Sequence, residues 1–123
     1  AKVMVTLGTS PFFNIHIDPS NFFKASLNDA VYLTGGSTVS YSSQWYHVAL
    51  VRSSGTYMFF VNGTMIATTT SQGSLNVSSS QLYLGRYGVS GYPFGGYLDD
   101  FRITKYARYT ANFTPPTSAL PLA

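Results

Sequence analysis

Every acidic side chain in this sequence of 123 residues is an aspartate: Asp18, Asp29, Asp99 and Asp100. Only Asp99 and Asp100 stand together. Hydrolysis by two carboxylates needs the pair to face each other across the scissile bond, about 5–10 Å apart. Consecutive residues of an extended chain point to opposite faces, so these two cannot easily act as an acid/base couple. The bland reading is that one of them accepts hydrogen bonds from loop backbone. The histidines, His16 and His47, are far apart in sequence and share no metal-ligand spacing. No serine or threonine stands in a recognisable nucleophile–base pattern with either of them. There is no cysteine, which removes thiolate chemistry, thiolate metal sites and a disulfide framework. The residues predict a protein that is not an enzyme.

The chemistry the sequence does offer is recognition by flat aromatic rings. The stretch YGVSGYPFGG, residues 87–96, sets Tyr87, Tyr92 and Phe94 among glycines, directly after Arg86. Rings presented on such a turn stack on the apolar faces of sugars, while neighbouring polar groups supply hydrogen bonds. The same rings could instead cap one end of a folded domain, and Arg86 serves either arrangement. Trp45 is expected to anchor the core, with its indole N–H on a backbone partner. His47, on the same side of the chain as Trp45 and Ala49, is expected to be a satisfied structural residue.

These groups must be positioned by strands, because no segment keeps a 3.6-residue apolar period. The clearest stretch is QWYHVALVRSSGTYMFFVNG, residues 44–63. Trp45, His47, Ala49 and Val51 fall on one side, and Tyr46, Val48 and Leu50 on the other. After the turn at 52–55, Tyr57, Phe59 and Val61 alternate with Met58 and Phe60. Asn62-Gly63 is the strongest short hairpin signal, since both central residues of a type I′ turn need positive φ. Residues 65–70 return as a third strand. Earlier, strands are predicted at 2–7, 12–17, 22–27 and 30–33, with Asp18-Pro19-Ser20-Asn21 and Asn28-Asp29 as turns. His16 lies on the polar face of its strand, opposite Phe13, Ile15 and Ile17. A brief pairing is expected at 38–41. Residues 71–80 read as a polar loop with Leu75 and Val77 as anchors. Residues 81–86 form a strand with Leu82 and Leu84 on one face, and 97–104 form the last strand. Residues 106–109 suit one helical turn. Many short strands with turn signals between them make an antiparallel β-sandwich of jelly-roll type over 1–111. Residues 112–123, with Pro115, Pro116 and Pro121, form an extended tail lying on the domain or on a partner.

Composition bounds the partners. Charged residues are 9% of the chain and aromatic residues 16%, with a formal charge of +3. Solubility then rests on Ser, Thr, Asn and Gly, a surface common on extracellular and virion proteins. The seven basic residues are spread singly, without the stripe that nucleic acid requires. No apolar run is long enough to cross a bilayer. The start, AKVMVTLG, is too short and too alternating for a signal peptide, and reads as a processed end or a chain whose beginning is missing. If Tyr57, Phe59 and Val61 face the core, then Met58 and Phe60, with Tyr46 near them, face outward as an assembly patch. A monomer seldom leaves such a patch wet, so the tail or another copy should cover it. Asn62-Gly-Thr64, Asn76-Val-Ser78 and Asn112-Phe-Thr114 match the N-glycosylation pattern, which matters only in a secreted eukaryotic chain.

The segments QWYHVALVR, TYMFFVNGT, LYLGRYG and GYLDDFRIT, in that order, resemble the laminin-G-like, concanavalin A-like lectin/glucanase superfamily. The ending KYARYTANFTPPTSALP is similar to the ends of such domains in bacteriophage tail and virion proteins. The chain departs from the family in beginning at what looks like a later strand. A missing first strand would leave a sheet edge open to another chain. Tyr46 stands where the family has the first His of a Trp-His-His pattern, and Asn62-Gly63 where it has Asp-Gly. The resemblance implies a calcium ion near Asp99, helped by backbone carbonyls. It also implies a non-catalytic module, because retaining glucanases of the superfamily carry glutamate motifs and this chain has no Glu. The expected function is a carbohydrate-binding or adhesion module on a phage virion, tail or other extracellular surface. Its partner would be a cell-surface glycan, bound through Tyr87, Tyr92, Phe94 and Arg86. The alternative is a structural subunit that decorates a capsid or builds a fibre with other virion subunits or as a homo-oligomer, through sheet edges and the Met58/Phe60/Tyr46 face.

Overall fold

The computed structural model describes residues 2–8, 13–28, 31–34, 38, 44–71, 73–74, 81–86 and 92–118. Among these it contains eight strands and no helix: β1 Lys2–Leu7, β2 Phe13–Ile17, β3 Phe23–Leu27, β4 Val31–Thr34, β5 Val48–Ser53, β6 Thr56–Val61, β7 Thr64–Thr69 and β8 Leu82–Leu84. They form two antiparallel sheets, one ordered β4-β3-β2-β1-β8 and the other β5-β6-β7. The chain therefore builds a four-stranded meander, crosses to build a three-stranded one, and returns β8 beside β1.

Local chemistry sets each reversal. In the β2–β3 turn, Asp18 Oδ1 accepts the backbone N–H of Ser20 at 2.9 Å and of Phe22 at 3.0 Å. Its other oxygen meets Lys24 Nζ at 3.2 Å. The two hairpins of the second sheet turn on Ser54-Gly55 (φ 49° and 82°) and Asn62-Gly63 (φ 52° and 80°). Two consecutive positive φ angles match the right-handed strand twist that a type I′ turn requires. Asn62 also ties down the approach to β5: its Oδ1 accepts the His47 N–H at 2.9 Å, and its own N–H donates to the His47 carbonyl at 2.7 Å.

The sheets pack face to face. Met4, Ile17, Phe23, Ala25, Leu27 and Leu33 of the first meet Tyr57 and Phe59 of the second, with Tyr46, Val48, Leu50 and Phe94 closing the periphery. A second apolar layer lies on the far side of the three-stranded sheet. There Val51, Met58 and Phe60 are covered by Ala107, Tyr109 and Phe113 of the chain's own C-terminal segment. Tyr109 and Phe113 stack at 3.6 Å between centroids, and both meet Phe60 edge-on. The segment is pinned by the Phe113 N–H to the Gly63 carbonyl and by the Met65 N–H to Asn112 Oδ1, each 2.9 Å.

This arrangement corrects several expectations. Met58 and Phe60 do not form an outward assembly patch: they are 6% and 0% exposed, because residues 107–113 lie across them. Tyr46 is not their neighbour. It has the opposite parity and packs edge-on against Phe23 at 5.3 Å in the inter-sheet core. Trp45, expected in the core, is 65% exposed. It shares the His47 side, and the covering rings reach His47 and end there. Residues 97–104 form no strand, and Tyr97, Leu98, Phe101 and Ile103 are exposed. Extended backbone without a neighbouring ladder does not become a strand, whatever its alternation. Residues 106–109 bend without a helical turn, and β8 stops at Leu84 because Gly85 turns to φ 79°. Leu82 and Leu84 stay exposed at the sheet edge. The polar face of β2 is not solvated either: Asn14, His16, Thr6 and Ser26 are all buried, with His16 Nδ1 2.9 Å from Asn14 Oδ1. Most of the brief pairing expected at 38–41, and the anchors Leu75 and Val77, lie outside the described residues.

Candidate functional site

The outer edge of β1 is closed by residues 81–86 and then by Tyr92. β8 pairs with it from Val5 to Leu7. The Gly85 N–H then donates to the Met4 carbonyl at 2.7 Å, and the Val3 N–H to the Tyr92 carbonyl at 3.0 Å. Thr6 Oγ1 donates to the Arg86 carbonyl at 3.1 Å. A glycine serves at 85 because the backbone adopts φ 79° there. The same edge thus carries Gln81, Tyr83, Arg86 and Tyr92. Its two ends are held by the Gly8 N–H, which donates to the Gln81 carbonyl at 3.0 Å, and by the Val3 N–H; these residues are five positions apart, about 17 Å along a strand.

The side chains along this edge are aromatic and polar. The Arg86 guanidinium lies over the Tyr83 ring, 5.1 Å from its centroid, a cation–π contact. The Tyr83 hydroxyl donates to Gln81 Oε1 at 2.7 Å. Tyr92, at φ 50°, holds its ring 55% exposed. Such side chains can stack on a pyranose face and hydrogen-bond to its hydroxyls through guanidinium, amide and phenol. Of the four residues singled out in the sequence, Arg86 and Tyr92 lie along this edge and Tyr87 lies outside the described residues. Phe94 does not join them: its N–H donates to the Gly85 carbonyl at 2.9 Å and its ring packs against the inter-sheet core. It is turned inward because the apolar gap beside β1 needs filling, which corrects its reading as a presented ring. Gly96 lets that ring lie close, since a Cβ there would meet it. Tyr83 and Gln81 were missed. The signal was the alternation of QLYLGR, which puts them on the side opposite Leu82 and Leu84.

The other groups contribute little chemistry. Asp99 is exposed, and its Oδ1 accepts the N–H of Asp100 at 2.8 Å. This is the backbone-capping role expected of one aspartate. Calcium takes about six to eight oxygens. Among the described residues, no three His, Asp or Glu side chains gather anywhere, so an ion at Asp99 would rest mainly on backbone carbonyls. His47 and His16 both have pKa values held below the ordinary imidazole range. For His47 the cause is burial, then the charge of Arg102. For His16 it is burial, then Lys24, with Asp18 opposing. Burial raises the Tyr57 phenol, whose hydroxyl donates to the Gly73 carbonyl at 2.6 Å. Asn62 and Asn112, two of the glycosylation-pattern asparagines, use their side-chain carbonyls to bind backbone.

No curated protein and no solved structure matches the chain. A family model for the concanavalin A-like lectin/glucanases superfamily, of laminin G type, matches residues 2–112. With that match over most of its length and two antiparallel sheets enclosing one core, the chain belongs to the concanavalin A-like lectin/glucanases superfamily.

Proposed function

We propose that this domain is a non-catalytic carbohydrate-binding module, displayed on a virion or another extracellular surface, that attaches to cell-surface glycans. The observation that carries the site is Arg86 held over Tyr83, with the phenol locked by Gln81 and Tyr92 exposed on the same edge. Rings already fixed by the fold lose little freedom when a sugar stacks on them, so more of the contact energy appears as affinity. Membership of a lectin-containing superfamily supports the ligand class. The low charge and the phage-like ending support the setting. The test is a glycan array with the intact chain, run with calcium and again with chelator. Binding is expected and should be indifferent to chelator. Tyr83→Ala and Tyr92→Ala should each weaken it about tenfold or more, roughly the 1–3 kcal/mol of a lost stacking contact. Full affinity in both variants would remove the site.

A second reading has its own support. Tyr97, Leu98, Phe101, Ile103 and Tyr106 are all exposed within one run, an apolar surface that a subunit interface would bury. As a structural subunit the chain would associate through this run and its open sheet edges, since the Met58/Phe60 face is already covered. Sedimentation equilibrium checks it: association at high concentration should be lost in Tyr97→Ser/Ile103→Ser, and a persistent wild-type monomer ends this reading.

A further inference from the structure

The second apolar layer is closed by a strap of chain instead of a sheet, and a histidine sits at its margin. We propose that residues 107–113 are an acid-released strap: protonation of His47 loosens their hold on the β5-β6-β7 sheet and uncovers Val51, Met58 and Phe60. The geometry supplies the contact. The His47 ring meets Phe113 at 5.4 Å and Tyr109 at 6.2 Å, nearly perpendicular to both. Tyr109 and Phe113 are the rings that cover Phe60.

The surroundings of His47 suit a neutral ring. From the turn after β6 it meets the Asn62 amide, which is uncharged. From the strap it faces the Tyr109 phenol and Phe113. From the preceding loop comes Arg102, whose Nη2 lies 3.5 Å from the Tyr109 hydroxyl and whose charge opposes a second cation. Among the described residues no carboxylate acts on His47. Its Nδ1 is buried without a hydrogen-bond partner, as is Arg102 Nη1, so an imidazolium would find no acceptor there. The Phe113 ring offers a cation some attraction, but burial beside Arg102 outweighs it. The sign follows. A released His47 titrates near the ordinary value of 6.5, and the strapped one only at lower pH. The strap therefore holds fully above that value. As pH falls through the interval, the ratio of strapped to released chain drops by up to about tenfold per pH unit.

The test is amide hydrogen exchange on the intact chain between about pH 7.5 and about pH 5, corrected for the intrinsic rate. The reporters are the Phe113 and Met65 amides, which the strap contacts protect. Their protection should fall as the pH is lowered. In His47→Gln it should be the same at both pH values, although His16 still titrates there. In Arg102→Gln, which leaves the apolar contacts in place, release should shift to lower pH. Protection that ignores pH in the wild type, a fall in His47→Gln equal to the wild type's, or an unmoved midpoint in Arg102→Gln would each overturn the proposal.

Discussion

Gly63 shows how closely single residues are specified. Its φ is 80°, and a Cβ added there would run into the backbone carbonyl of Phe113. Gly55 has nearly the same φ, 82°, but open space around it. Left-handed backbone costs an L-residue about 1–2 kcal/mol, so Gly55→Ala should lower stability by about that much. Gly63→Ala adds a clash with backbone that must move the strap, and should cost about 2–4 kcal/mol. Urea unfolding of the two variants compares them directly, and equal losses would show that the strap does not rest on this turn. Phe60 makes a parallel case. It is fully buried, and truncating a buried Phe to Ala typically costs about 3–5 kcal/mol. An outward-facing residue would cost almost nothing, so the same measurement separates the covered face from an open one.

At the scale of elements, the strap does what a strand does elsewhere, without being one, and the edge of β1 is completed beyond β8 by Gly85 and Tyr92. The strap covers an apolar face using two stacked rings and two hydrogen bonds, one from the Phe113 N–H to the Gly63 carbonyl and one from the Met65 N–H to the Asn112 side chain. Phe113→Ala should open that cover, lowering stability by about 2–3 kcal/mol, less than for a fully buried Phe, and should raise binding of a hydrophobic dye. An unchanged dye signal would mean that Tyr109 alone closes the layer. The edge segment satisfies β1 first through a ladder and then through isolated bonds from Gly85 and Tyr92. That irregularity puts the Tyr92 ring outside and the Phe94 ring inside.

For the whole molecule, protons act on stability in one direction. His16 and His47 are both held neutral by burial, so the unfolded chain binds more protons below about pH 6.5. Asp18 is held ionised, chiefly by the Phe22 N–H and then by Lys24 and Ser20, so the stability it lends is lost as pH falls through its lowered pKa. Stability should be greatest above about pH 6.5 and should fall as pH drops below that value, and further in strong acid. Denaturant unfolding at about pH 7.5 and about pH 5.5 checks the first part, and a flat profile would contradict the burial of both imidazoles. His16→Gln and His47→Gln should each remove part of the slope.

The alternation of 44–63, the Asn62-Gly63 turn and the Asp18 turn were enough to read an antiparallel sandwich, because period-two patterning and positive-φ turns are local properties of the chain. That one aspartate of the 99–100 pair accepts a backbone N–H was legible too, and the fold makes it Asp99. What alternation cannot state is what lies over each face. Met58 and Phe60 read as outward because they oppose the core side, and only the folded chain shows a strap 47–55 residues further on lying across them. His16 went the same way and Trp45 the other, for the same cause: whether a side is covered depends on contacts distant in sequence. The site divided likewise. Arg86 and Tyr92 were legible as an aromatic, basic loop, but bringing them onto one edge with Tyr83 and Gln81, and turning Phe94 inward, required the hydrogen bonds that lay 81–86 and Tyr92 along β1.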